Sequence, residues 1–318
     1  MASNKRRRPL GVPIAVMAGV LAATLLAHRL LPETLGLALA VEAVLPWLGA
    51  PVLLLLVAAL ARRARLGVWV SLAAVLAWAM VFVPQILPLE AQAGAAEGAA
   101  ESAADSSLSV LSQNVRGADR DAVSTATAAA AREPDLLALQ EVDGGSRPGV
   151  AAALAERYPY TVTVGTVGLW SRFPILDTEP LDLGLGWSRA LRAVVAAPGG
   201  DVTVYVVHAA SARPLAHDDR DTMLAELARV IAGDDSARLI AVGDFNAGSE
   251  DRAFRALRAT LSEPRQTGGG FGFTWPAAFP AVRLDHVLVR GFAASDMAAV
   301  PLGDSDHLAV TAELRASA

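Results

Sequence analysis

Three long apolar runs open the chain, at 10–27, 35–61 and 66–89, and none alternates with polar positions at a helical or strand period. Each meets or approaches the roughly 20 residues needed to cross a bilayer. One such run also fits a buried core helix, but three in succession do not. They predict three membrane-spanning helices, at about 10–31, 36–61 and 66–88. A cleaved signal peptide would account for Lys5 to Arg8 and the first run only, because the next two would still anchor the chain. Trp47, Trp69 and Trp78 are candidate interface residues, with Trp78 deep enough to be packing instead. Glu42 falls inside the second run, which is longer than a span requires, so it reads as a residue near the outer interface rather than an intramembrane functional acid.

Beyond residue 89 the pattern changes. Residues 90–106 are Ala, Gly, Glu and Ser in low-complexity order and read as a tether. Short strands then alternate with helices. Buried strands are expected at 108–113 and 135–139, and a hairpin at 160–164 and 167–170 around Gly165. Further strands are expected at 191–196 and 202–207, joined by Pro198-Gly199-Gly200, and at 238–242, 284–289 and 308–314. Helices are expected at 119–132, 150–157, 218–232 and 251–259, the third with acids in its first turn and Arg229 in its last, as the helix dipole prefers. Mixed strands, hairpins and helices predict a layered α/β fold with mixed sheets. The division is therefore a membrane anchor at 1–89, a linker at 90–106 and an α/β domain at 107–318.

Charge sharpens this division. Residues 1–104 carry 8 Lys+Arg and 5 Asp+Glu, a net +3, while residues 105–318 carry 19 and 27, a net −8. An acidic domain does not attract polyanions by bulk field, which weakens a dedicated DNA-binding role. Basic residues cluster at Lys5 to Arg8 and at Arg62, Arg63 and Arg65, so the positive-inside rule puts the N-terminus and the 62–65 loop in the cytoplasm. Three spans then place the α/β domain outside. The chain has no cysteine, consistent with export without disulfides.

The chemistry gathers at the ends of apolar runs. Gly243-Asp244-Phe245-Asn246-Ala247 follows one such run, where α/β folds hold their functional groups. Gln113-Asn114, Leu139-Gln140-Glu141, His208, Asp285 and Asp306-His307 recur in similar places. Hydrolysis of a phosphoester needs a hard cation, a water held in line and donors for developing charge. Glu141 is the best cation ligand by type, Asn114 adds a neutral oxygen, and Asp306 completes the shell through water or holds a second ion. His307 is the candidate general base, with Asp285 fixing its tautomer. His286 follows Asp285 in the same strand and should face the other way.

The ordered set Ser112-Gln113-Asn114, Leu139-Gln140-Glu141, Trp170-Ser171-Arg172-Phe173-Pro174-Ile175, Val207-His208, Gly243 to Ala247, Arg283 to His286 and Gly303 to His307 resembles the endonuclease/exonuclease/phosphatase superfamily, also called DNase I-like, over about 107–315. The resemblance implies a four-layer α/β sandwich, two packed mixed β-sheets flanked by helices, here preceded by three transmembrane helices. It implies a Mg2+- or Mn2+-dependent hydrolase of ester bonds. It assigns the acid–base pair to Asp285 and His307, phosphate contact or leaving-group protonation to His208, transition-state donation to Asn246, and the orientation of water to Asp244. Arg172 and Trp275 are secondary substrate-binding candidates. Trp275 closes the glycine- and aromatic-rich stretch 268–275. An active-site Tyr found in some nuclease members has no counterpart here.

The expected substrate is a nucleic acid or a membrane phospholipid, and the expected partner of the N-terminal helices is the bilayer, with no protein partner implied. A multi-pass membrane location is expected, with the catalytic domain extracytoplasmic. The alternative from another class is a non-catalytic receptor or scaffold that binds a phosphorylated ligand. The sequence leaves open the cognate substrate, the number of metal ions, the division of the base role between Asp244 and His307, and the oligomeric state.

Overall fold

The structure, a computed structural model, describes residues 11–88, 107–116 and 122–317. The basic cluster Lys5 to Arg8, the 90–106 linker and the expected helix start at 119–121 lie outside the described residues. The chain divides into two compact units, Met1–Ile86 and Leu87–Ala318.

The first unit is helical. Helix α1 (Gly11–Ala27) runs into a 3-10 turn at His28–Leu30. The second apolar run is interrupted: α2 (Leu37–Val44) and α3 (Gly49–Ala61) are separated by a 3-10 turn at Leu45–Leu48, where Pro46 supplies no backbone donor. Helix α4 (Arg65–Ile86) is continuous. Three stretches are long and apolar enough to cross a membrane: Gly11–Leu30, Leu37–Ala61 and Arg65–Ile86, of 20, 25 and 22 residues. They meet at Ala18, Val52 and Ala74. Glu42 is buried in this unit at 3% exposure rather than left on its surface.

The second unit holds two sheets. Strands β1 (Ser107–Asn114), β2 (Leu136–Gln140), β3 (Tyr160–Val164), β4 (Val167–Ser171), β10 (Phe292–Val300) and β11 (Ala309–Ala316) form one, in the order β10-β11-β1-β2-β4-β3. Strands β5 (Ile175–Leu181), β6 (Ala190–Ala197), β7 (Gly200–His208), β8 (Leu239–Asp244) and β9 (Asp285–Arg290) form the other, in that order. Among the described strands only β1–β2 and β7–β8 are parallel pairs. Both sheets are therefore mixed, as the sequence pattern requires.

Side-chain parity builds the layers. Leu108, Val110, Leu136 and Ala138 of the first sheet pack against Val204, Val206, Ile240, Val242 and Val287 of the second. The alternate residues of the first sheet, Leu111, Leu137 and Leu139, pack beneath helices α5 (Ala122–Ala130) and α6 (Arg147–Leu154). On the far side Tyr205, Ala241 and Leu288 pack beneath α7 (Asp218–Ala232) and α8 (Arg255–Arg258). Helix, sheet, sheet, helix is the four-layer sandwich.

Two strands escaped the sequence pattern. β5 is exposed at five of its seven positions, and β10 is mostly half-buried, so neither carries a core-strand signature. Helix α6 begins three residues earlier than expected, with Pro148 in its first turn, as proline tolerates. Helix α8 shrinks to four residues.

Candidate active site

The parity that builds the inter-sheet core also builds the site. Continuing the inward-facing series of each strand to its end gives Asn114 on β1, Gln140 on β2, His208 on β7, Asp244 on β8 and Asp285 at the start of β9. Register brings them level: Asn114 pairs with Gln140, His208 with Asp244, and Asp244 with Asp285. The apolar layer thus ends in a polar cap at one end of the sandwich. His286 faces the opposite way, between Phe245 and Phe254, with its ring nitrogens at Glu263 and the Ala247 carbonyl.

Local backbone turns finish the arrangement. Glu141, Arg116 and Asn246 all adopt left-handed backbone, at φ 60°, 53° and 49°. Such conformations are uncommon outside glycine and cluster where geometry serves a site. Gly243, at φ 141°, is required for a steric reason: a Cβ there would lie 2.0 Å from the Val207 carbonyl oxygen. The loop carrying Asp306 and His307 is clasped to the end of β1. Ser305 Oγ donates to the Asn114 carbonyl at 2.6 Å, and Gln113 Nε2 donates to the His307 carbonyl at 3.2 Å.

The side chains then touch in series. His208 Nε2 lies 3.7 Å from Glu141 Oε1. Asn114 Nδ2 donates to Glu141 Oε1 and to Asp244 Oδ2, both at 3.1 Å. Asp244 Oδ2 is 4.0 Å from His307 Nε2, and His307 Nδ1 is hydrogen-bonded to Asp285 Oδ2 at 2.9 Å. Asn246 caps Asp244 through its backbone N–H at 2.9 Å, while its Nδ2 donates to the Ala209 carbonyl at 3.0 Å. Thr274 Oγ1 accepts from the Leu284 and Asp285 backbones and sets the entry into β9.

Burial and charge tune these groups in different directions. Burial would depress His307, but the Asp285 carboxylate, by charge and hydrogen bond, outweighs it and raises the pKa to about 9. Burial first, and the Asp285 charge second, lift Asp244 to about 7. His208 is pushed down to about 3, by burial and then by the Arg189 and His307 charges, so its imidazole is neutral. Asp244 and His307 interact closely enough to titrate as a pair.

Other sequence-expected residues land differently. Asp306 is turned toward Trp275 and Arg116, at 3.4 Å from Trp275 Nε1 and 3.8 Å from Arg116 Nε. Trp275 thereby flanks the site. Arg172 does not. It follows β4 beside Asp135, 3.7 Å from that carboxylate, at the opposite end of β2 from Glu141. A five-residue strand separates the two ends by about 17 Å. Arg172 therefore leaves the substrate-binding set.

From the sequence Arg189 ranks, with Arg192 and Arg213, only as a surface candidate for phosphate contact, with no pattern to promote it. Its terminal nitrogen lies 3.0 Å from both ring nitrogens of His208, and its guanidinium stacks 5.0 Å from the Trp187 ring. The signal was the turn at Pro198-Gly199, which pairs Ala197 with Gly200 and, continued along the hairpin, aligns position 189 with 208. Thr166, 3.3 Å from His208 Nδ1, was missed, as a loop residue with no motif.

One donor set is close enough together to hold a metal ion, and a second pair of oxygen-bearing side chains lies beside it. Asp244, Asp285 and His307, all buried, are the group of three acidic or histidine ligands close enough together among the described residues. Glu141, whose side chain is 38% exposed, and Asn114 form an open pair of oxygen-bearing groups beside it. Asn114 Oδ1 accepts the Arg116 N–H at 3.0 Å and keeps a second lone pair. Hard oxygen donors of this kind suit a hard divalent cation.

The profile of the Endonuclease/Exonuclease/phosphatase family matches residues 111–307, from β1 to His307. The chain belongs to this family. Membership supports a phosphodiester or phosphomonoester hydrolase, in a family whose enzymes are generally divalent-metal dependent. Similar solved structures establish the same fold. D. rerio TDP2 complexed with single-strand DNA product has a TM-score of 0.56 at 21% identity, covering 66% of this chain and 99% of that one. The family protein from Beutenbergia cavernae DSM 12333 has a TM-score of 0.53 at 22% identity, covering 67% and 72%. Sphingomyelinase C from Streptomyces griseocarneus has a TM-score of 0.50 at 22% identity, covering 65% and 99%. No curated protein matches the chain.

Proposed function

We propose that this chain is a membrane-anchored, Mg2+- or Mn2+-dependent phosphoesterase whose catalytic unit lies outside the cytoplasm. The observation that carries this reading is the unbroken series of polar contacts from His208 through Glu141, Asn114 and Asp244 to His307 and Asp285. It joins an open carboxylate to an oriented acid–base pair.

Glu141 and Asn114 would hold the cation, with Asp306 contributing through water. The buried trio is a poorer choice. Asp285 Oδ2 is committed to His307 Nδ1, Asp244 Oδ1 to the Asn246 N–H, and a hard, hydrated cation disfavours a dry cage with a nitrogen ligand. A bound cation supplies neutralisation of the phosphate oxygens. Asp285 holds the His307 tautomer, as in any oriented acid–base pair. Asp244 orients the attacking water, and the Asp244–His307 pair takes its proton. Arg189 and the neutral His208 present donors to a phosphoryl oxygen. The second amide N–H of Asn246 meets the charge that develops at phosphorus.

Membrane anchoring rests on the three span-length helices. Leu54 and Trp69 are 69% and 72% exposed in the first unit, an apolar surface that suits lipid rather than water. The two basic clusters favour a cytoplasmic N-terminus and 62–65 loop.

The test is hydrolysis by the purified full chain with Mn2+, offered plasmid DNA, RNA, phosphatidylinositol and sphingomyelin in parallel. Glu141→Ala and His307→Ala should each abolish turnover. Inactivity of the wild type on every substrate, with the cation bound, overturns the reading. Orientation is testable because the chain lacks cysteine: Ser317→Cys should react with an impermeant maleimide on intact cells, and Ala64→Cys should not.

A further inference from the structure

Among the described residues 107–317, six large hydrophobic side chains are 39% exposed or more: Tyr160, Leu176, Trp187, Leu215, Trp275 and Phe279. Their distribution over the sandwich is uneven. Tyr160 pairs with Ser171, beside the start of β2, and Leu176 lies beside the start of β7, both at the end remote from Asp244. The other four sit on loops at the end that carries the site. Trp187 precedes β6, one turn of chain before Arg189. Leu215 follows β7 in a tight turn closed by Arg213 and Ala216. Trp275 and Phe279 lie in the loop that leads into Asp285.

These loops are held in place. Asp182 Oδ1 accepts the N–H groups of Gly184, Leu185 and Gly186, which sets the turn before Trp187. Trp275 Nε1 donates to Asp306, and the Ala277 N–H to the Asp306 carbonyl at 2.7 Å. Phe279 is 67% and Leu215 77% exposed, and the exposed cation Arg213 lies two residues from Leu215. Large apolar side chains with an indole or guanidinium beside them match the headgroup region of a bilayer, where one end of the group is dry and the other wet.

We infer that this rim docks the active site onto a lipid surface, so that the substrate is a phosphoester in the headgroup layer of a membrane phospholipid. The inference rests on the phosphoesterase reading above and narrows its substrate. The occupant is a bilayer because the same chain carries three helices long enough to span one. The rim is covalently joined to those helices in one chain, so any bilayer they span is available to it without a separate binding event. Bulk charge does not provide the attraction, since the unit is acidic; contact is local and apolar.

The absence of cysteine makes the contact measurable. Single variants Leu215→Cys, Phe279→Cys and, as a remote control, Leu176→Cys are labelled with an environment-sensitive fluorophore. Each full-length chain is reconstituted into phosphatidylcholine–phosphatidylglycerol vesicles that contain a nitroxide lipid. Labels at 215 and 279 should be quenched and the label at 176 should not. In parallel, Leu215→Ser/Phe279→Ser should lose at least about tenfold of its turnover on phosphatidylinositol or sphingomyelin in the bilayer. Its turnover of soluble bis(p-nitrophenyl) phosphate should stay within about twofold of wild type, since neither apolar side chain belongs to the series of polar contacts from His208 to Asp285. Unquenched labels at 215 and 279 overturn the inference, as does a rim that responds to single-stranded DNA instead of lipid. Equal loss on soluble and bilayer substrates also overturns it. Labelling does not depend on turnover, so failure of the phosphoesterase reading, seen as no hydrolysis of any phosphoester, is a separate result.

Discussion

Arg220 donates from one guanidinium nitrogen to the backbone carbonyl of Asn246 at 2.7 Å, from a position 1% exposed beneath the active-site turn. The same nitrogen meets Asp251 Oδ2 at 2.7 Å, and Nε meets Asp221 Oδ1 at 2.6 Å. The left-handed turn that aims Asn246 is thus pinned from inside by a buried ion pair. Replacing Arg220 with Met should cost about 3–5 kcal/mol, because Asp251 is left buried without its cation. Arg220→Lys should keep much of the stability yet lower kcat with little change in KM, since a lysine cannot reproduce the fork. Thermal unfolding and steady-state kinetics on the two variants check both expectations.

Gly243 should tolerate no side chain. With the Val207 carbonyl oxygen 2.0 Å from the site of a Cβ, Gly243→Ala forces the parallel β7–β8 pair apart. The pair that aligns His208 with Asp244 would be lost with it. The variant should be destabilised by about 3 kcal/mol or more and inactive, measured by unfolding and by hydrolysis together.

Asp285→Asn should leave the fold intact and reduce kcat by about 10²–10⁴, because the amide no longer holds His307 in one tautomer and orientation. A pH–rate profile that keeps its shape and its magnitude would remove Asp285 from the acid–base machinery.

Chelation should abolish turnover, and Mg2+ or Mn2+ should restore it. Glu141→Gln, which preserves shape but removes the carboxylate charge, should raise the cation concentration needed for half-activity by an order of magnitude or more. An unchanged cation requirement would move the site to other residues.

Asp234 should make stability acid-sensitive. Burial opposes its ionisation, but Ser236, Tyr205 and Arg192 together hold the carboxyl down to about 2. Tyr205 Oη donates to it at 2.6 Å and Arg192 Nε at 3.3 Å. A depressed carboxylate contributes stability that is complete above its unfolded pKa of about 3.9 and is lost as the pH falls through about 2. Asp234→Asn should therefore be less stable at pH 7, by a margin that solvent screening of a partly exposed carboxylate keeps to about 1 kcal/mol, and the gap should close between about pH 4 and 2. Unfolding of both proteins across that range tests it.

How much of this was legible in the chain depends on the range of the interaction. Apolar runs such as 202–207 and 238–242 marked their strands, and strand parity put His286 behind the site and Asp285 in front. The same parity carries Asn114, His208 and Asp244 to the inward face. β5 was illegible because its residues are exposed, and a strand held mainly by backbone bonds to β6 leaves no hydrophobic alternation. Glu141 could be proposed as a ligand from its type, but its left-handed backbone could not, since nothing in Gln140-Glu141-Val142 demands it.

Arg172 and Arg189 show the boundary. Both are arginines beside a strand, one within a family-like segment and one in no motif. The segment favoured Arg172, yet the antiparallel return of β4 carries it to the far end of β2. The hairpin from β6 to β7 brings Arg189 level with His208. The sequence by itself determined the local elements, the inward and outward faces, the three apolar spans and the kinds of group available for chemistry. Those follow from side-chain period and backbone sterics over a few residues. Only the tertiary structure decided which groups meet, because strand order and the packing of one sheet on another are set by contacts between residues far apart in the chain. Asp285 and His307 meet across 22 residues, and Asn114 and Asp244 across 130.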